Sequence, residues 1–197
     1  MHSPLFPTIV QRFSSSVVLL LLSWLLPTFG FAQSLEIDPE LRKRLKSSIV
    51  AADSFEDRFD AEVWLVAKSQ VLKKYIKDPE YRLQILKAVH REASRQNLPP
   101  ELVLSVIQIE SHFDRFAISK VGAQGMMQVM PFWKKEIGRP QDNLTKMDTN
   151  LRYGCTILRH YLDREKGRWP EALARYNGSY GSYRYSTKVL NAWDQWR

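Results

Sequence analysis

The chain has 197 residues, of which 29 are Lys or Arg and 21 are Asp or Glu, so its formal net charge is +8 at pH 7. That length is enough for one domain with a real hydrophobic core, and the single cysteine, Cys155, excludes an internal disulfide. A positive net charge of this size favours an anionic surface, an anionic polymer or a nucleic acid as the partner. No helix-turn-helix or zinc-finger spacing accompanies the charge.

The N-terminal segment has the pattern of a signal peptide. Arg12 precedes an apolar run over residues 17–26, Pro27 ends that run, and residues 30–32 place small side chains where a signal peptidase reads them. The run is shorter than the ~20 residues that span a bilayer, which predicts cleavage before Gln33; an uncleaved N-terminal anchor is the alternative. Removal of 32 residues would leave 165, with 28 basic and 21 acidic side chains and a net charge of +7. Export argues against a nucleic-acid partner.

Helical periodicity dominates the rest of the chain, and no run alternates convincingly as a strand, so the predicted fold class is all-α. Pro100 suits the first turn of a helix because its missing N–H costs nothing there, and Glu101 favours the positive helix end. In chain order, the predicted helices cover residues 35–48, 60–76, 79–96 and 100–110, one beginning at about Met126, then 150–165, 169–177 and a final amphipathic segment over 183–196.

Glu110 lies at the end of an apolar helix, where Val103, Val106 and Ile107 share its face. A carboxyl group on an apolar stripe loses hydration, and the negative end of the helix also disfavours the anion. Both effects raise its pKa and keep it protonated near neutral pH, as a general acid requires. The alternative is a solvated glutamate at a frayed helix end.

The segment after this helix, GAQGMMQVMP over residues 122–131, combines two glycines, an apolar methionine-rich wall and one amide. Gly122 and Gly125 permit close backbone approach, methionine fills irregular space, and Gln128 both donates and accepts hydrogen bonds. This mixture suits a sugar, which has apolar faces and polar edges. The alternative is an ordinary loop followed by a Met-rich core helix.

Two further positions have competing interpretations. Tyr176, just before an Asn-Gly helix stop, is either a hydrogen-bond donor to a substrate or a core residue with a satisfied hydroxyl. Cys155 lies in a helical apolar pattern, which predicts a buried structural thiol rather than a nucleophile. His160 is close to it in sequence, but no other metal-ligand spacing accompanies the pair, so a metal site is not predicted. The tyrosines that follow are candidates to line a saccharide groove: Tyr180, Tyr183 and Tyr185.

Three motifs follow one another along the chain. The first is Glu110-Ser111-His112-Phe113 with Ser119 nine residues after the glutamate, the second is residues 122–131, and the third is residues 174–179, ARYNGS. Together they resemble the SLT-type lytic transglycosylases, a family with a lysozyme-like core similar to glycoside hydrolase family 23. The chain departs from the usual pattern in three places: Met126 replaces Leu, Arg175 replaces a small residue, and Gly178-Ser179 replaces the usual Ala-Gly.

The resemblance implies a helical domain over residues 86–197 that cleaves the β-1,4 bond between N-acetylmuramic acid and N-acetylglucosamine in peptidoglycan without water. The product would carry a 1,6-anhydro ring on the muramic sugar. By the same resemblance Glu110 is the catalytic acid and base, and a reaction of this kind needs no metal or organic cofactor. Residues 33–85 lie outside the resemblance, and their helical periodicity predicts an N-terminal extension. The expected location is the bacterial periplasm or cell envelope, with no transmembrane segment in the mature chain. Residues at positions that contact the substrate in the family are Ser119, Gln128, Met130, Tyr176 and Asn177.

Two alternatives remain open from the sequence. Ordinary glycosidases use two carboxylates ~5–5.5 Å or ~6.5–9.5 Å apart, and a lysozyme-type muramidase would need such a partner or another way to direct water. Asp114 is one helical turn from Glu110, but it is expected to lie beyond the helix end. The second alternative is a non-catalytic peptidoglycan-binding or assembly factor. In either case, an association with envelope machinery stays open.

Overall fold

A computed structural model describes residues 57–197 of the chain. The predicted signal segment, the helix over residues 35–48 and the expected cleavage site before Gln33 lie outside the described residues. Within residues 57–197 the fold is helical and contains no β-strand, as the periodicity predicts. The helices are α1 (Arg58–Leu72), α2 (Pro79–Arg95), α3 (Pro100–Ser111), α4 (Trp133–Ile137), α5 (Met147–Arg164), α6 (Trp169–Tyr176) and α7 (Arg184–Trp196).

Local chemistry explains where the first helices begin. The Asp57 carboxylate accepts hydrogen bonds from the backbone N–H groups of Phe59 and Asp60 at the start of α1. Asp78 caps α2 through the backbone N–H of Glu80 in the same way. A carboxylate at this position satisfies donors that have no partner inside the helix. α2, α3 and α6 each carry a proline in the first turn, where its missing N–H removes no hydrogen bond.

α3 is the central helix, because all of its side chains from Leu102 to Ile107 are buried. Its most extensive contact is with α7, and it also packs against α2. α5 and α6 pack on each other and join the same hydrophobic core. Trp196 on α7 is fully buried beside Phe113, which follows α3. The core therefore surrounds the helix that ends at Glu110.

The predicted helix from about Met126 is wrong. Gly125 and Gln128 both have positive φ, +75° and +48°, which an α-helix does not accommodate. The backbone instead closes a tight turn in which Gln124 and Val129 exchange both of their N–H···O bonds, at 3.0 and 2.9 Å. Met126 and Met127 are buried within this turn, so they belong to the core without belonging to a helix. The next helix, α4, starts only at Trp133.

α1 is joined to both α3 and α7. Trp64 Nε1 donates to Glu101 Oε1 over 2.6 Å, and Lys68 Nζ donates to the carbonyl oxygens of Trp196 and Arg197. The predicted boundary between residues 85 and 86 falls inside α2, and the division there into an extension and a domain stays a prediction. Among residues 57–197, no helix combines the length and the hydrophobicity needed to cross a bilayer.

Candidate active site

Glu110 lies in the last turn of α3, where the chain leaves the core. His112 and Phe113, directly after the helix, have φ values of +51° and +69°, so the backbone turns sharply there. The Phe113 ring is fully buried and fixes this exit to the core. Glu110 itself is half-buried and faces a pocket, which places a carboxyl group at the border between apolar packing and solvent.

The pKa of Glu110 is raised from 4.5 to about 7, chiefly because burial disfavours the charged form. The hydroxyl of Tyr185 donates to Glu110 Oε1 over 2.6 Å, and this hydrogen bond acts in the opposite direction by stabilising the carboxylate. The direction of the shift agrees with the position of Glu110 on the apolar stripe. A carboxyl group with this pKa exchanges a proton readily near neutral pH.

Tyr185, in the first turn of α7, is the partner of Glu110 that sequence reasoning missed. The sequence indicated it only as one of several groove tyrosines, because no local pattern links two residues 75 positions apart. Burial and the neighbouring Glu110 carboxylate raise the pKa of the Tyr185 phenol well above its ordinary value. Tyr185 therefore keeps its proton and acts as a fixed donor to Glu110.

The pocket at Glu110 has a volume of about 340 Å³ and lies between the end of α3, the start of α7 and the loop after α6. Glu110 is the one carboxylate that lines it within the described part of the chain. Asp114, considered above as a second acid, does not line the pocket and accepts a hydrogen bond from the backbone N–H of Phe116 over 2.8 Å. The lining residues are Ile109, Glu110, Asn177, Ser179, Ser182, Arg184, Tyr185 and Lys188.

The turn at residues 125–129 is anchored to α3 and α5. Ser111, the neighbour of Glu110, donates its hydroxyl to the Met126 carbonyl oxygen over 2.8 Å. Asn150 on α5 accepts from the Met127 N–H over 2.7 Å and donates to the carbonyl oxygens of Gln124 and Leu144. The serine of the Glu-Ser pair thus connects the helix that carries Glu110 to the turn.

Three of the predicted substrate-binding residues lie in or beside this turn rather than in the pocket lining. The Gln128 amide donates to the carbonyl oxygens of Ala117 and Gly125 over 3.1 and 2.9 Å, so its N–H groups support the backbone. The Ser119 hydroxyl accepts from the Ala123 N–H over 3.0 Å, and Met130 is half-buried after the turn. The structure therefore shows backbone-supporting contacts for Gln128 and Ser119.

Tyr176 is the last residue of α6, and Asn177 follows it as the C-cap. The Tyr176 hydroxyl donates to the Met127 carbonyl oxygen over 2.7 Å, and burial raises the pKa of this phenol well above its ordinary value. The hydroxyl is satisfied internally, as the alternative interpretation of Tyr176 expected. Asn177 is exposed and lines the pocket, so of the five residues predicted to contact the substrate it is the one that shares the pocket with Glu110.

Arg175, which departs from the usual motif, has a defined role in the loop after α6. Its guanidinium forms an ion pair with the buried Glu165, which Arg168 also contacts. The same guanidinium stacks on the Tyr180 ring, 3.7 Å from the ring centroid. A charged group placed over an aromatic face stabilises the arrangement and orders the loop that borders the pocket.

Cys155 is fully buried, as predicted, and burial raises its pKa far above the ordinary range for a thiol. Across residues 57–197, no three His, Cys, Asp or Glu side chains are grouped in a way that would hold a metal ion.

Comparison with known proteins identifies relatives over the same region. Residues 87–192 match the family model described as the transglycosylase SLT domain. The transglycosylase of Enterobacteria phage PRD1 is 34% identical over 107 residues, which cover 54% of this chain and 39% of that protein. The membrane-bound lytic murein transglycosylase F of Desulfosudis oleivorans is 32% identical over 121 residues, 58% of this chain and 25% of that protein. The chain thus spans well under half of the length of these curated relatives.

A solved structure has the same fold. An inactive mutant of the lytic transglycosylase Slt from Pseudomonas aeruginosa superposes with a TM-score of 0.51 at 20% sequence identity. The match covers 81% of this chain and 37% of that one. The helical arrangement around α3 is therefore shared with a known protein fold.

Proposed function

The chain belongs to the SLT transglycosylase family, and from that premise we propose that it is a lytic transglycosylase of peptidoglycan. The proposed reaction cleaves the β-1,4 bond between N-acetylmuramic acid and N-acetylglucosamine and leaves a 1,6-anhydro end. One observation carries the proposal: a half-buried carboxyl group with a pKa of about 7 faces a pocket that has no other carboxylate within the described residues. The relatives that are named murein transglycosylases support the choice of substrate.

Glu110 serves first as the general acid. With a pKa of about 7 it is about half protonated at neutral pH, and the protonated form donates to the glycosidic oxygen as the bond to C1 breaks. The carboxylate that remains is then stabilised by the Tyr185 hydroxyl, 2.6 Å from Oε1. The hydrogen bond is stronger to the anion than to the acid, so it favours the proton transfer.

The same carboxylate then serves as the base. It takes the proton from the 6-hydroxyl of the muramic sugar while that oxygen bonds to C1, which closes the anhydro ring and restores the acid. Intramolecular attack of this kind reaches effective molarities of ~10⁵–10⁸ M, enough to compete with water when the ring is held correctly. A pathway with a nucleophile supplied by the substrate needs one carboxyl group, which fits a pocket lined by Glu110 without a second acid.

The remaining predicted residues are proposed to shape the glycan groove. Asn177 lines the pocket and offers an exposed amide to a sugar hydroxyl. Gln128 and Tyr176 act through the turn at residues 125–129, which their hydrogen bonds hold in place. Ser119 and Met130, beside the same turn, are proposed to contact the strand as it leaves the pocket.

The proposed location is the bacterial cell envelope, where the substrate lies. Relatives described as membrane-bound murein transglycosylases support it, and so does the signal-peptide pattern of residues 1–32. The proposal includes cleavage before Gln33, periplasmic residence and association with envelope machinery.

The experiment that tests the reaction replaces Glu110 with glutamine, which keeps the shape and removes the acidic proton. We expect Glu110→Gln to lower the release of anhydro-muropeptides from purified sacculi by at least ~100-fold, with an unchanged circular dichroism spectrum. Glu136→Gln, an exposed glutamate on α4, is the matched control and should behave as the wild type. Near-wild-type release by Glu110→Gln would falsify the assignment of this acid.

The masses of the products decide between the proposed reaction and its alternatives. Wild-type products that are one water heavier, with reducing ends, would identify a muramidase. Wild-type protein that binds sacculi without releasing any soluble fragment would identify a non-catalytic binding factor.

A further inference from the structure

Two cations line the pocket at Glu110 without a protein anion to neutralise them. Arg184 and Lys188 lie four residues apart on α7, on the same side of the helix, and both are exposed. Within residues 57–197 neither side chain forms an ion pair, whereas most arginines on other helices are paired with acids. The pocket therefore holds two positive charges beside an acid that is half neutral at pH 7.

These cations do not serve as the counter-ions of Glu110. Within the described residues neither cation forms an ion pair with Glu110, whose Oε1 instead accepts from the Tyr185 hydroxyl over 2.6 Å. Burial raises the pKa of Glu110, which is the opposite of what a close cation would do. Arg184 and Lys188 thus act on another part of the pocket. Their charge is available to a ligand.

A third group in the pocket also has no partner. The Ser179 hydroxyl oxygen is buried and makes no hydrogen bond within the described part of the chain. A buried hydroxyl that is unpaired in the free protein gains a partner when a ligand supplies one. Two cations and one hydroxyl donor along one pocket are the recognition chemistry of a carboxylate.

We propose that Arg184, Lys188 and Ser179 bind a carboxylate carried by the muramic substituent of the glycan strand, and so direct the enzyme toward charged strands. This inference rests on the proposed function for the identity of the strand. Glycan strands offer such carboxylates from two sources. One is the attached peptide, and the other is the lactyl group, which becomes a free carboxylate when the peptide is removed. A neutral β-1,4 glycan lacks both and would make weaker contact with this side of the pocket.

The test compares native sacculi with sacculi whose carboxylates have been neutralised by carbodiimide-coupled amidation. We expect the wild type to cleave native strands about two- to thirtyfold faster in kcat/KM, the combined effect of two exposed ion pairs. In the double variant Arg184→Gln with Lys188→Gln this ratio should fall toward one. Lys73→Gln with Lys77→Gln, also exposed and four residues apart but outside the pocket, is the matched control and should keep the wild-type ratio.

Ionic strength and peptide removal refine the result. The preference of the wild type should shrink between 50 and 500 mM salt, because exposed charges are screened. Stripping by an amidase removes the peptide carboxylates and frees the lactyl carboxylate, which is an amide in native strands. A wild-type rate that survives stripping shows that the site also accepts the lactyl group, and a rate that falls assigns the site to the peptide. A double variant that loses the same factor on native and amidated strands would overturn the proposal.

Binding separates this inference from the proposed reaction. Pelleting of Glu110→Gln protein with native and amidated sacculi reports carboxylate recognition without turnover, and adding the Arg184→Gln and Lys188→Gln changes should abolish the difference. Discrimination in binding without cleavage by the wild type would refute the reaction and leave the recognition intact. Cleavage without discrimination would refute the recognition alone.

Discussion

At Glu110, burial and one hydrogen bond act on the same carboxyl group in opposite directions. Burial raises its pKa and the Tyr185 hydroxyl lowers it, with a result of about 7. A group that donates a proton and then takes one back works best when its pKa lies near the working pH, and these two effects set that balance. Tyr185 is thus a positioning residue whose hydroxyl tunes the acid.

Tyr185→Phe removes this hydroxyl and keeps the ring. We expect the pKa of Glu110 to rise further, because burial remains and the bond that favours the carboxylate is lost. A hydrogen bond to a charged group is worth ~1.5–3 kcal/mol, so the alkaline limb of the pH–rate profile should move up by about one to two units. Absolute activity should fall, because the carboxylate loses its donor after the first proton transfer.

Tyr161→Phe serves as the control for that profile. Tyr161 lies on α5 away from the pocket, and its hydroxyl forms no hydrogen bond within the described residues. The alkaline limb of the pH–rate profile of Tyr161→Phe should coincide with that of the wild type. An unmoved limb in Tyr185→Phe would contradict the tuning role, even if that variant lost activity.

The sequence predicts the setting of Glu110 but not its partners. The positions of Val103, Val106 and Ile107 place it on the apolar stripe, which is a local pattern. The bond to Tyr185 and the cations of α7 depend on how α7 crosses the end of α3, which no local pattern contains. The motif residues Gln128 and Tyr176 could be named from the sequence, while their bonds to backbone carbonyls required the structure.

At the scale of elements, the turn at residues 125–129 has the hydrophobic pattern of a helix but the backbone conformation of a turn. Met126, Met127 and Val129 are apolar and buried, as in a core helix, so composition alone favours a helix there. The positive φ values at Gly125 and Gln128 prevent it. Glycine permits a positive φ but also occurs where φ is negative, so Gly125 alone does not predict the turn. Gln128 adopts a positive φ while its amide donates to nearby carbonyl oxygens, which the sequence does not reveal. A sequence pattern therefore cannot distinguish a turn from a helix here.

Gly125→Ala tests how tightly this turn is packed. A Cβ there would lie 2.5 Å from Asn150 Nδ2 and closer still to the Leu144 carbonyl oxygen, and φ is +75°. We expect the free energy of unfolding to fall by ~2–5 kcal/mol in urea titrations, the sum of left-handed strain and overpacking. Gly122→Ala is the control, since φ is +87° but an added Cβ would have no atom within 4 Å apart from its immediate neighbours in the chain. It should lose only ~1–2 kcal/mol, and equal losses would refute the packing argument.

At the scale of the whole molecule, the sequence predicts the all-α class, and within residues 57–197 it predicts most helix positions correctly. Those predictions rest on a 3.6-residue periodicity and on start signals such as Pro100, which act within one turn. The order in which helices pack is a long-range property. α1 lies outside the segment that matches the family, residues 87–192, and yet it contacts α3 and the end of α7. The periodicity of α1 did not predict these contacts.

Lys68 on α1 tests whether this first helix is part of the same cooperative fold. Its buried ammonium donates to the carbonyl oxygens of Trp196 and Arg197, where a helix end is negative and has unpaired acceptors. Lys68→Met keeps the length and leaves those carbonyls unpaired, so we expect a loss of ~1–3 kcal/mol in the free energy of unfolding. Hydrogen exchange should accelerate in the last turn of α7. The faster exchange should extend to α3, because Trp196 Nε1 donates to Gln108 on that helix. Lys74 is exposed just after α1, and Lys74→Met is the control. It should change neither the free energy of unfolding nor the rate of hydrogen exchange. Unchanged exchange in Lys68→Met would mean that α7 is held by its packing on α3 alone.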